Sequence, residues 1–458
     1  MRCFIVFSLC FGIALASPRA RGLGKDPSIK EFEAYFHKAY PSKEVEAEAE
    51  KNLKANEAQI DANNEAYAQG KSHFREEVKE WDDLSDEEFA KEKTGALDAG
   101  SGKKFMGLLD EKHMFERYNP PGGHEYLQNL QNFYDSQPSL SQLPKTFDAR
   151  QFGIVTPTKN QGACGSCAAF AATAQHESAI LDKNLQFYKA RMDLSEQQLL
   201  DCAFDNDNAL ACEGAFIFAY PRYIVENSTG QVYHESHYPY MQGLTSANPK
   251  PDCKENSLGY WKSGARLTEY WYDYDCNEEK LKKMVYEYGT AVTVIYASDS
   301  GFKNMMADEV FDGFSNNPVN HAVQVIGWGT QYGMDYWLIK NSWGENFGDG
   351  GIGKVRIGYG GTASRCAAAG ASAQGDVDPE PEKNGYLAAQ SCDLNNVEAY
   401  YDKMDEGWVQ FQGPNGNWIS TYVTCGHGQC QPVDPHNESN SCYIICGRAT
   451  CTSRTYGK

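Results

Sequence analysis

The chain has 458 residues, which suggests several domains of about 150 residues each instead of one large core. Its hydrophobic fraction of 41% and aromatic fraction of 13% are sufficient for buried cores and exclude a chain that is disordered throughout. A formal net charge of −20 argues against nucleic acid and anionic membranes as partners, because both would repel the protein.

The N-terminal residues have the pattern of a secretory signal. Met1 and Arg2 precede an apolar stretch from Cys3 to Leu15, and small residues mark a cleavage site before Ser17. A buried helix or membrane anchor is the alternative, but the stretch is shorter than the ~20 apolar residues of a membrane span. We therefore expect a signal peptide over residues 1–16, no membrane span, and a secretory route to an extracellular or lysosomal location.

Cysteine parity and glycosylation triplets are consistent with that route. Of the 15 cysteines, Cys3 and Cys10 lie in the signal, which leaves an odd number in the processed chain. In an oxidising compartment at least one thiol therefore stays outside the disulfides and is a candidate reactive group. Asn227 and Asn437 begin Asn-x-Ser/Thr triplets and are predicted glycosylation sites.

The region before residue 140 is predicted to be helical. From about Phe32 to Tyr67 the sequence is rich in Glu, Ala and Lys, and apolar residues return at helical spacing. A second charged stretch runs from Phe74 to Phe89, and the simplest interpretation of both is a solvated helical hairpin. A polar run with several glycines, from Gly100 to Gly123, reads as an exposed connection.

A change in composition near Leu143 marks the main folded domain, which continues to about Gly370. Residues Cys167 to Leu181 are strongly helix-forming and follow a loop that contains glycine. Later segments are rich in β-branched and aromatic residues and are predicted strands. These strands are Ala291–Tyr296, Ala322–Ile326 and Tyr336–Ile339. A helix first and strands later indicate an α+β domain with a cleft between its two parts.

The most informative segment is Asn160-Gln-Gly-Ala-Cys-Gly-Ser-Cys-Ala168, which ends in the first residues of the predicted helix. A thiol at a helix N-terminus lies at the positive end of the helix dipole, which favours the thiolate. The thiolate is the form of cysteine that attacks carbonyl carbon. Cys167 is therefore a candidate nucleophile.

This segment resembles the nucleophile loop of the papain family of cysteine peptidases, and two further segments match that family in the expected order. They are Val319-Asn-His-Ala-Val323 and Ile339-Lys-Asn-Ser-Trp-Gly344. Each key residue alone has a structural explanation: a bridged cysteine, a core histidine or a turn asparagine. Their conjunction in one secreted chain favours an active site.

The resemblance implies a role for each matched residue. Cys167 would be the nucleophile, His321 its base and acid, and Asn341 the residue that orients the imidazole by a hydrogen bond. Gln161 would donate its side-chain amide to the oxyanion beside the backbone N–H of Cys167. Trp343 would shield the contact between asparagine and histidine from water.

The resemblance also implies a two-lobed papain-like fold over residues 141–370, with a helical lobe, a β-barrel-like lobe and the active-site cleft between them. Residues 17–140 would be an inhibitory propeptide that covers Cys167 in the reverse direction and is cleaved near residues 137–143. Three positions match the helical motif of such propeptides, and three others depart from it. The matches are Asn56, Ile60 and Asn64, and the departures are Val45, Ala49 and Leu53. The Glu-rich composition suggests release at acid pH.

Two substitutions depart from the family pattern near the cleft. Ala168 stands where the family strongly favours Trp, and Gly214-Ala215 replaces a Gly-Gly pair. The methyl group of Ala215 is expected to narrow the place where substrate backbone approaches. Phe216 and Ile217 would then wall an apolar pocket for the second residue before the scissile bond, with a preference for Leu, Val or Phe.

The family resemblance also sorts the cysteines of the main domain. It pairs Cys164 with Cys212 and Cys202 with Cys253. Cys366 resembles a third bridge position whose usual partner is missing, so a Cys276–Cys366 bridge is a weaker expectation.

After an acidic linker at residues 371–385, a last module spans residues 386–458 and holds six cysteines. Three disulfides of open connectivity are favoured over a zinc site at Cys425, His427 and Cys430. Trp408 and Trp418 suit core packing better than a carbohydrate surface, and the ligand of this module is open.

The sequence therefore predicts a self-inhibited endopeptidase precursor that acts on polypeptides through a thioester and needs no cofactor or metal. One alternative is a non-enzymatic binding protein on the same fold, disabled by Ala168 and Ala215 and acting through its tail. Another is an exopeptidase or amidase, which would need an occluding insertion.

Overall fold

The computed structural model describes residues 23, 25–97, 124–188, 192–204, 208–228, 230–241, 252–254, 266–313 and 315–371. It also gives the backbone of six strands between residues 395 and 455. The predicted signal peptide, the connection at 100–123, the predicted linker apart from its first residue, Ala371, and Asn437 lie outside the described residues. No helix in these described parts of the chain is both long and apolar enough to cross a bilayer.

Three helices form the N-terminal region: α1 (Ile29–Phe36), α2 (Lys43–Ala68) and α3 (Asp86–Lys93). Each begins after a serine whose hydroxyl accepts a hydrogen bond from the backbone of the first turn. The prediction of one helix from Phe32 to Tyr67 is wrong at its start, because the chain breaks at His37, which has a left-handed φ of 55°. The apolar faces of α1 and α2 pack together around the fully buried Phe32 and Leu53.

Asparagines on α2 hold the chain between residues 74 and 84 in a non-helical conformation. Asn56 Nδ2 donates to the carbonyls of Asp82 (2.8 Å) and Leu84 (3.2 Å). Asn64 bonds both the N–H and the carbonyl of Glu76, each at 2.9 Å. The interpretation of this region as a solvated helical hairpin is wrong, because residues 74–84 are not helical, form turns near Trp81 and pack on the main domain.

A fourth helix, α4 (His124–Ser136), precedes the main domain. It presents Tyr126, Leu130, Phe133 and Tyr134 on one face, at the i, i+4, i+7 and i+8 spacing of an amphipathic helix. Leu130 and Tyr134 are 5% and 3% exposed and belong to the same apolar core as the sheet of the main domain. The sequence pattern had left this element unassigned within the predicted propeptide.

The first part of the main domain is helical. It contains α5 (Cys167–Tyr188), α6 (Glu196–Cys202) and α7 (Ala219–Glu226), with short 3-10 turns at Ala149–Phe152 and Ala211–Glu213. Helix α5 is longer than predicted and supplies the centre of an apolar core that includes Ile180, Leu199 and Ile224. It therefore fixes the position of its first residue, Cys167.

The second part contains seven strands and two helices: β1 (Phe147–Asp148), β2 (Leu267–Asp273), α8 (Glu278–Tyr288), β3 (Ala291–Ile295), α9 (Ser300–Lys303), β4 (His321–Gln331), β5 (Met334–Lys340), β6 (Ile352–Arg356) and β7 (Cys366–Ala371). The strands form an antiparallel sheet in the order β2-β7-β3-β4-β5-β6, with the short β1 paired to β4. His321 is the first residue of β4, and Asn341 directly follows β5. Because Gln324 of β4 lies opposite Lys340 of β5, His321 and Asn341 lie at the same end of the sheet.

Three disulfides lie within the main domain. Two join Cys164 to Cys212 and Cys202 to Cys253, the pairs that the family resemblance implies. The third joins Cys276 to Cys366, the pairing that was the weaker expectation.

The C-terminal module contains a four-stranded antiparallel sheet in the order β11-β10-β9-β8 and a separate hairpin of β12 and β13. Its strands are β8 (Asn395–Lys403), β9 (Glu406–Gln412), β10 (Trp418–Gly426), β11 (Gln429–Pro432), β12 (Cys442–Gly447) and β13 (Thr450–Thr455). The predicted bridges of this module and the environments of its tryptophans lie outside the described side chains.

Candidate active site

Cys167 begins α5 and is completely buried. Its sulfur accepts a hydrogen bond from the backbone N–H of Ala322 at 3.4 Å, and its thiol is not bridged in a disulfide. Ala322 directly follows His321, so this contact brings the sulfur to the start of β4. The helix thus points its positive end at a thiol that lies beside the predicted base.

The imidazole of His321 is held by Asn341. Nε2 lies 2.7 Å from Asn341 Oδ1, which also accepts the backbone N–H of Ser342 at 2.8 Å. Since an amide oxygen only accepts, this contact assigns the proton to Nε2 and leaves Nδ1 as the basic nitrogen. Nδ1 is buried and has no hydrogen-bond partner among the described residues. Burial lowers the pKa of His321 to about 4, so the imidazole is neutral in this covered state.

Trp343 covers the histidine–asparagine contact. Its ring centroid lies 4.7 Å from that of His321, and the side chain is fully buried. The structure therefore brings His321, Asn341 and Trp343 together at the place where Cys167 begins its helix.

Gln161 lies under the same cleft and is also completely buried. Its amide orientation is fixed because Oε1 accepts a hydrogen bond from Ser342 Oγ at 2.7 Å. Nε2 donates to the carbonyl of Cys164 at 2.8 Å and lies 3.5 Å from the carbonyl oxygen of Glu92. A backbone carbonyl from the N-terminal region therefore lies beside the proposed oxyanion donor. Ser342, which the sequence analysis did not single out, orients that donor.

Residues 93–97, which we call the cleft segment, leave the end of α3 and cross the cleft, with Thr94 in an extended conformation. Trp343 Nε1 donates to Lys93 O at 2.9 Å. Further along, Leu97 N donates to Ala215 O at 3.0 Å and Ala215 N donates to Gly95 O at 2.9 Å, in a parallel bridge. These contacts use only the backbone of Ala215. The methyl group that was expected to narrow the cleft does not prevent an extended chain from pairing there.

Glycine is required where the cleft segment crosses the nucleophile loop. A Cβ atom at Gly95 would lie 1.9 Å from the backbone oxygen of Gly165. On the other side, Gly214 has a φ of 117°, and a Cβ there would lie 2.4 Å from Gly95 O. The two backbones therefore approach each other more closely than any other residue type would permit.

The side chain of Leu97 fills an apolar pocket. It is 3% exposed and packs with Phe216 and Phe218, and the ring of Tyr272 from β2 lies 4.8 Å from that of Phe218. Ile217, which was expected in this pocket, instead belongs to the main helical core. Ile217 lies in the turn that leads into α7, and this turn directs its side chain into a different cluster from those of Phe216 and Phe218. Phe218 and Tyr272 were missed, and the contribution of β2 has no local signal in the sequence.

A fully buried tyrosine of the helical core lies close to the nucleophile. Ala168 is 1% exposed in the helical core, and Tyr220 from α7 is completely buried in that same core. Burial raises the pKa of Tyr220 strongly, with a smaller contribution from the charge of a Cys167 thiolate. Tyr220 thus supplies aromatic volume near the nucleophile from a different helix.

The chain before the cleft segment packs on the outer side of Trp343. Trp81 and Phe89 meet its ring at centroid distances of 5.3 and 5.2 Å. Asn304 Nδ2 binds Asp82 Oδ2 at 2.6 Å, and Ser300 Oγ binds Glu76 Oε2 at 3.0 Å. We call residues 74–97, which include the cleft segment, the cover.

Both the sequence and the structure of this chain are similar to those of known proteins. Residues 143–372 match a sequence profile described as papain family cysteine protease. A cysteine protease of Blomia tropicalis is 29% identical over 78% of this chain and 96% of its own length. Procathepsin L of Rattus norvegicus is 30% identical over 76% of this chain and 91% of its own length. The structure of digestive procathepsin L2 from Tenebrio molitor superposes with a TM-score of 0.57 at 26% identity, over 74% of this chain and 98% of that one.

Proposed function

Because the chain belongs to the papain family of cysteine proteases, we propose that it is the self-inhibited precursor of an endopeptidase that cleaves polypeptides through a thioester. The observation that carries this proposal is the placement of the Cys167 sulfur beside the start of β4, where Asn341 holds His321 at 2.7 Å. The family, the hydrolase class and the papain-like fold agree with the sequence motifs around these three residues.

The proposed reaction begins with Cys167 as a thiolate and His321 protonated once the cover has left. The sulfur attacks the carbonyl carbon of the scissile bond, and the oxyanion is stabilised by Gln161 Nε2 and the backbone N–H of Cys167. When the tetrahedral intermediate collapses, the C–N bond breaks and His321 gives its proton to the leaving amine. Neutral His321 then takes a proton from water, which attacks the thioester and releases the carboxylic acid and Cys167.

The geometry of the cover supports self-inhibition. The cleft segment occupies the groove by backbone pairing with Ala215, and Glu92 O lies beside Gln161 Nε2. The cleft segment runs parallel to the chain at Ala215. This direction corresponds to the reverse orientation that the family resemblance implies. A peptide held this way does not present its carbonyl carbon to the sulfur as a substrate would, so it blocks the site without being cleaved.

The pocket around Leu97 supports a preference for an apolar residue two positions before the scissile bond. Phe216, Phe218 and Tyr272 surround a leucine side chain, and none of the three carries a charge that would pair with Lys or Arg. We therefore propose Leu, Val or Phe at that substrate position. Faster hydrolysis of substrates with Arg there would contradict this assignment.

We also propose a secretory route to an extracellular or lysosomal location, supported by the signal-like residues 1–16. Asn227 is exposed at the end of α7 and is accessible for glycosylation. The alternative of a catalytically disabled binding protein rested on Ala168 and Ala215. Tyr220 lies close enough to Cys167 for the thiolate charge to affect its pKa, and Ala215 pairs with the cleft segment through its backbone, so the enzyme is the better proposal.

The test is active-site labelling of the processed protein. We expect an irreversible thiol reagent to modify Cys167 stoichiometrically and to abolish turnover of a peptide with Leu at the apolar position. Cys167→Ala should remove both labelling and turnover, and His321→Ala should slow both. A correctly folded processed protein that neither reacts nor turns over peptide would refute the proposal.

A further inference from the structure

Helix α4 packs on the catalytic domain. The ring of Phe133 stacks on Trp271 of β2 (5.4 Å, 18°) and on Tyr288 of α8 (5.8 Å, 25°). Leu130 and Tyr134 are buried in the core that also contains Cys276 and Cys366. Through these contacts α4 forms part of the hydrophobic core of the catalytic domain.

The same helix completes one edge of the sheet. Strand β2 is the last strand on its side of the sheet as described, so within the described residues no further strand bonds its outward backbone groups. The hydroxyl of Tyr126 bonds both outward backbone groups of Tyr272. It accepts a hydrogen bond from the N–H of Tyr272 at 2.7 Å and donates one to the carbonyl of Tyr272 at 2.9 Å. Burial accordingly raises the pKa of Tyr126 to about 12, so the phenol stays protonated and can do both.

Tyr272 connects this edge to the substrate pocket. Its backbone is fixed from one side by Tyr126, and its ring packs against Phe218 in the cluster around Leu97. A change in the position of Tyr272 therefore changes the wall of the pocket, although Tyr126 itself does not touch the residue that the pocket holds.

We propose that α4 stays docked on the processed enzyme after the cover has left, and that Tyr126 is a positioning residue for the apolar substrate pocket. The exposed residues at 139–142 permit cleavage behind the helix, so α4 stays bound either through the chain or through its packing alone. This assigns α4 to the mature enzyme and not to the part of the propeptide that dissociates. The statement about the pocket rests on the proposed function.

Retention is tested without relying on the chain's own activity. The full-length precursor is processed by limited digestion with an added endopeptidase, passed over a sizing column, and the protein peak is analysed by mass spectrometry. We expect residues 126–136 to be present in the peak that has lost residues 74–97. A peak that keeps its fold and lacks residues 126–136 would overturn the proposal.

The positioning role is tested with Tyr126→Phe, which keeps the ring and removes both hydrogen bonds. We expect the ratio of kcat/KM for a substrate with Leu at the apolar position over one with Ala there to fall about three- to tenfold. The rate at which a small thiol reagent labels Cys167 should stay unchanged. Tyr286→Phe, on an exposed tyrosine of α8, is the matched control and should leave the ratio unchanged.

An unchanged ratio in Tyr126→Phe would refute the positioning role while leaving the endopeptidase in place. If wild-type protein neither turns over peptide nor reacts at Cys167, the proposed function fails instead. The mass-spectrometric result on α4 decides retention in either case.

Discussion

Two segments before the catalytic domain are bound to it in different ways. The cover binds the cleft through backbone pairing, aromatic contacts and buried polar groups such as Asp82, which is 1% exposed. Helix α4 binds the edge of the sheet through stacked rings and buried apolar side chains, with Tyr126 bonded to uncharged backbone groups. One attachment depends on carboxylates that the cover itself carries. The other rests mainly on apolar packing, and its one carboxylate among these contacts, Asp273, belongs to the catalytic domain and bonds the phenol of Tyr134.

This difference in attachment indicates why the cover can be removed while α4 stays bound. Burying a carboxylate costs free energy that depends on its protonation, so the stability of such an interface changes with pH. Apolar burial has no such dependence. The cover is therefore suited to release, and α4 is suited to retention.

The largest expected effect is on the cover, through Trp81→Ala. Trp81 is 1% exposed and packs on Trp343, and loss of a buried Trp costs about 3–5 kcal/mol. We expect the thiol reagent to label Cys167 in the unprocessed precursor on the order of 100-fold faster, because the cover opens more often.

Val45→Ala is the control for Trp81→Ala, since Val45 is 45% exposed on α2 and contributes little to packing. The processed Trp81→Ala enzyme should match wild type in stability. Equal labelling rates in the two precursors would show that the aromatic contact does not hold the cover.

A smaller effect is expected at α4, and there the loss of stability should be seen in the processed enzyme as well as in the precursor. Leu130→Ala removes a 5% exposed side chain from the core and should lower the free energy of unfolding by about 2–4 kcal/mol. If α4 is retained, this loss appears in the processed enzyme as well as in the precursor, as measured by chemical denaturation of both.

Leu127→Ala is the matched control, because Leu127 lies one turn earlier on the same helix and is 44% exposed. We expect its effect to stay within about 0.5 kcal/mol. A loss in the precursor that vanishes on processing would mean that α4 leaves with the cover, contrary to the comparison above.

Much of the catalytic centre could be predicted from sequence because its residues lie in short local strings. Cys167 follows a glycine loop and opens a helix, and His321 and Asn341 lie at the ends of segments with clear strand patterns. The family membership and the hydrolase class inferred from these strings are confirmed by the comparisons.

Residues that act through tertiary contacts were not predictable in this way. Tyr272 reaches the pocket from β2, and Tyr220 reaches the core near Cys167 from α7; neither position carries a local signal. The cover was misread as solvated because its charged residues dominate the pattern. Its anchors, Phe74, Trp81 and Phe89, bury themselves only against the catalytic domain.

The smallest predicted effect concerns pH and reverses an expectation from composition. The Glu-rich N-terminal region suggested release of the cover at acid pH. Burial instead raises the pKa of Glu76 to about 7 and that of Asp82 to about 6. Asp299 raises the pKa of Glu76 further, while Ser300 and Lys303 lower it.

A carboxyl whose pKa is raised in the covered state binds its proton more tightly there than in the open state. Its contribution to closure is fully present below the ordinary carboxyl pKa and is lost as pH rises through about 7 for Glu76. Glu76→Gln, which is neutral throughout, should therefore open roughly tenfold less often than wild type at pH 8 and about equally often at pH 4. Labelling of Cys167 in the precursor across a pH series measures this, with the exposed Glu87→Gln as control. If Glu76→Gln instead opens more often than wild type at pH 8 and equally often at pH 4, Glu76 is ionised in the closed cover and the acid-release expectation stands.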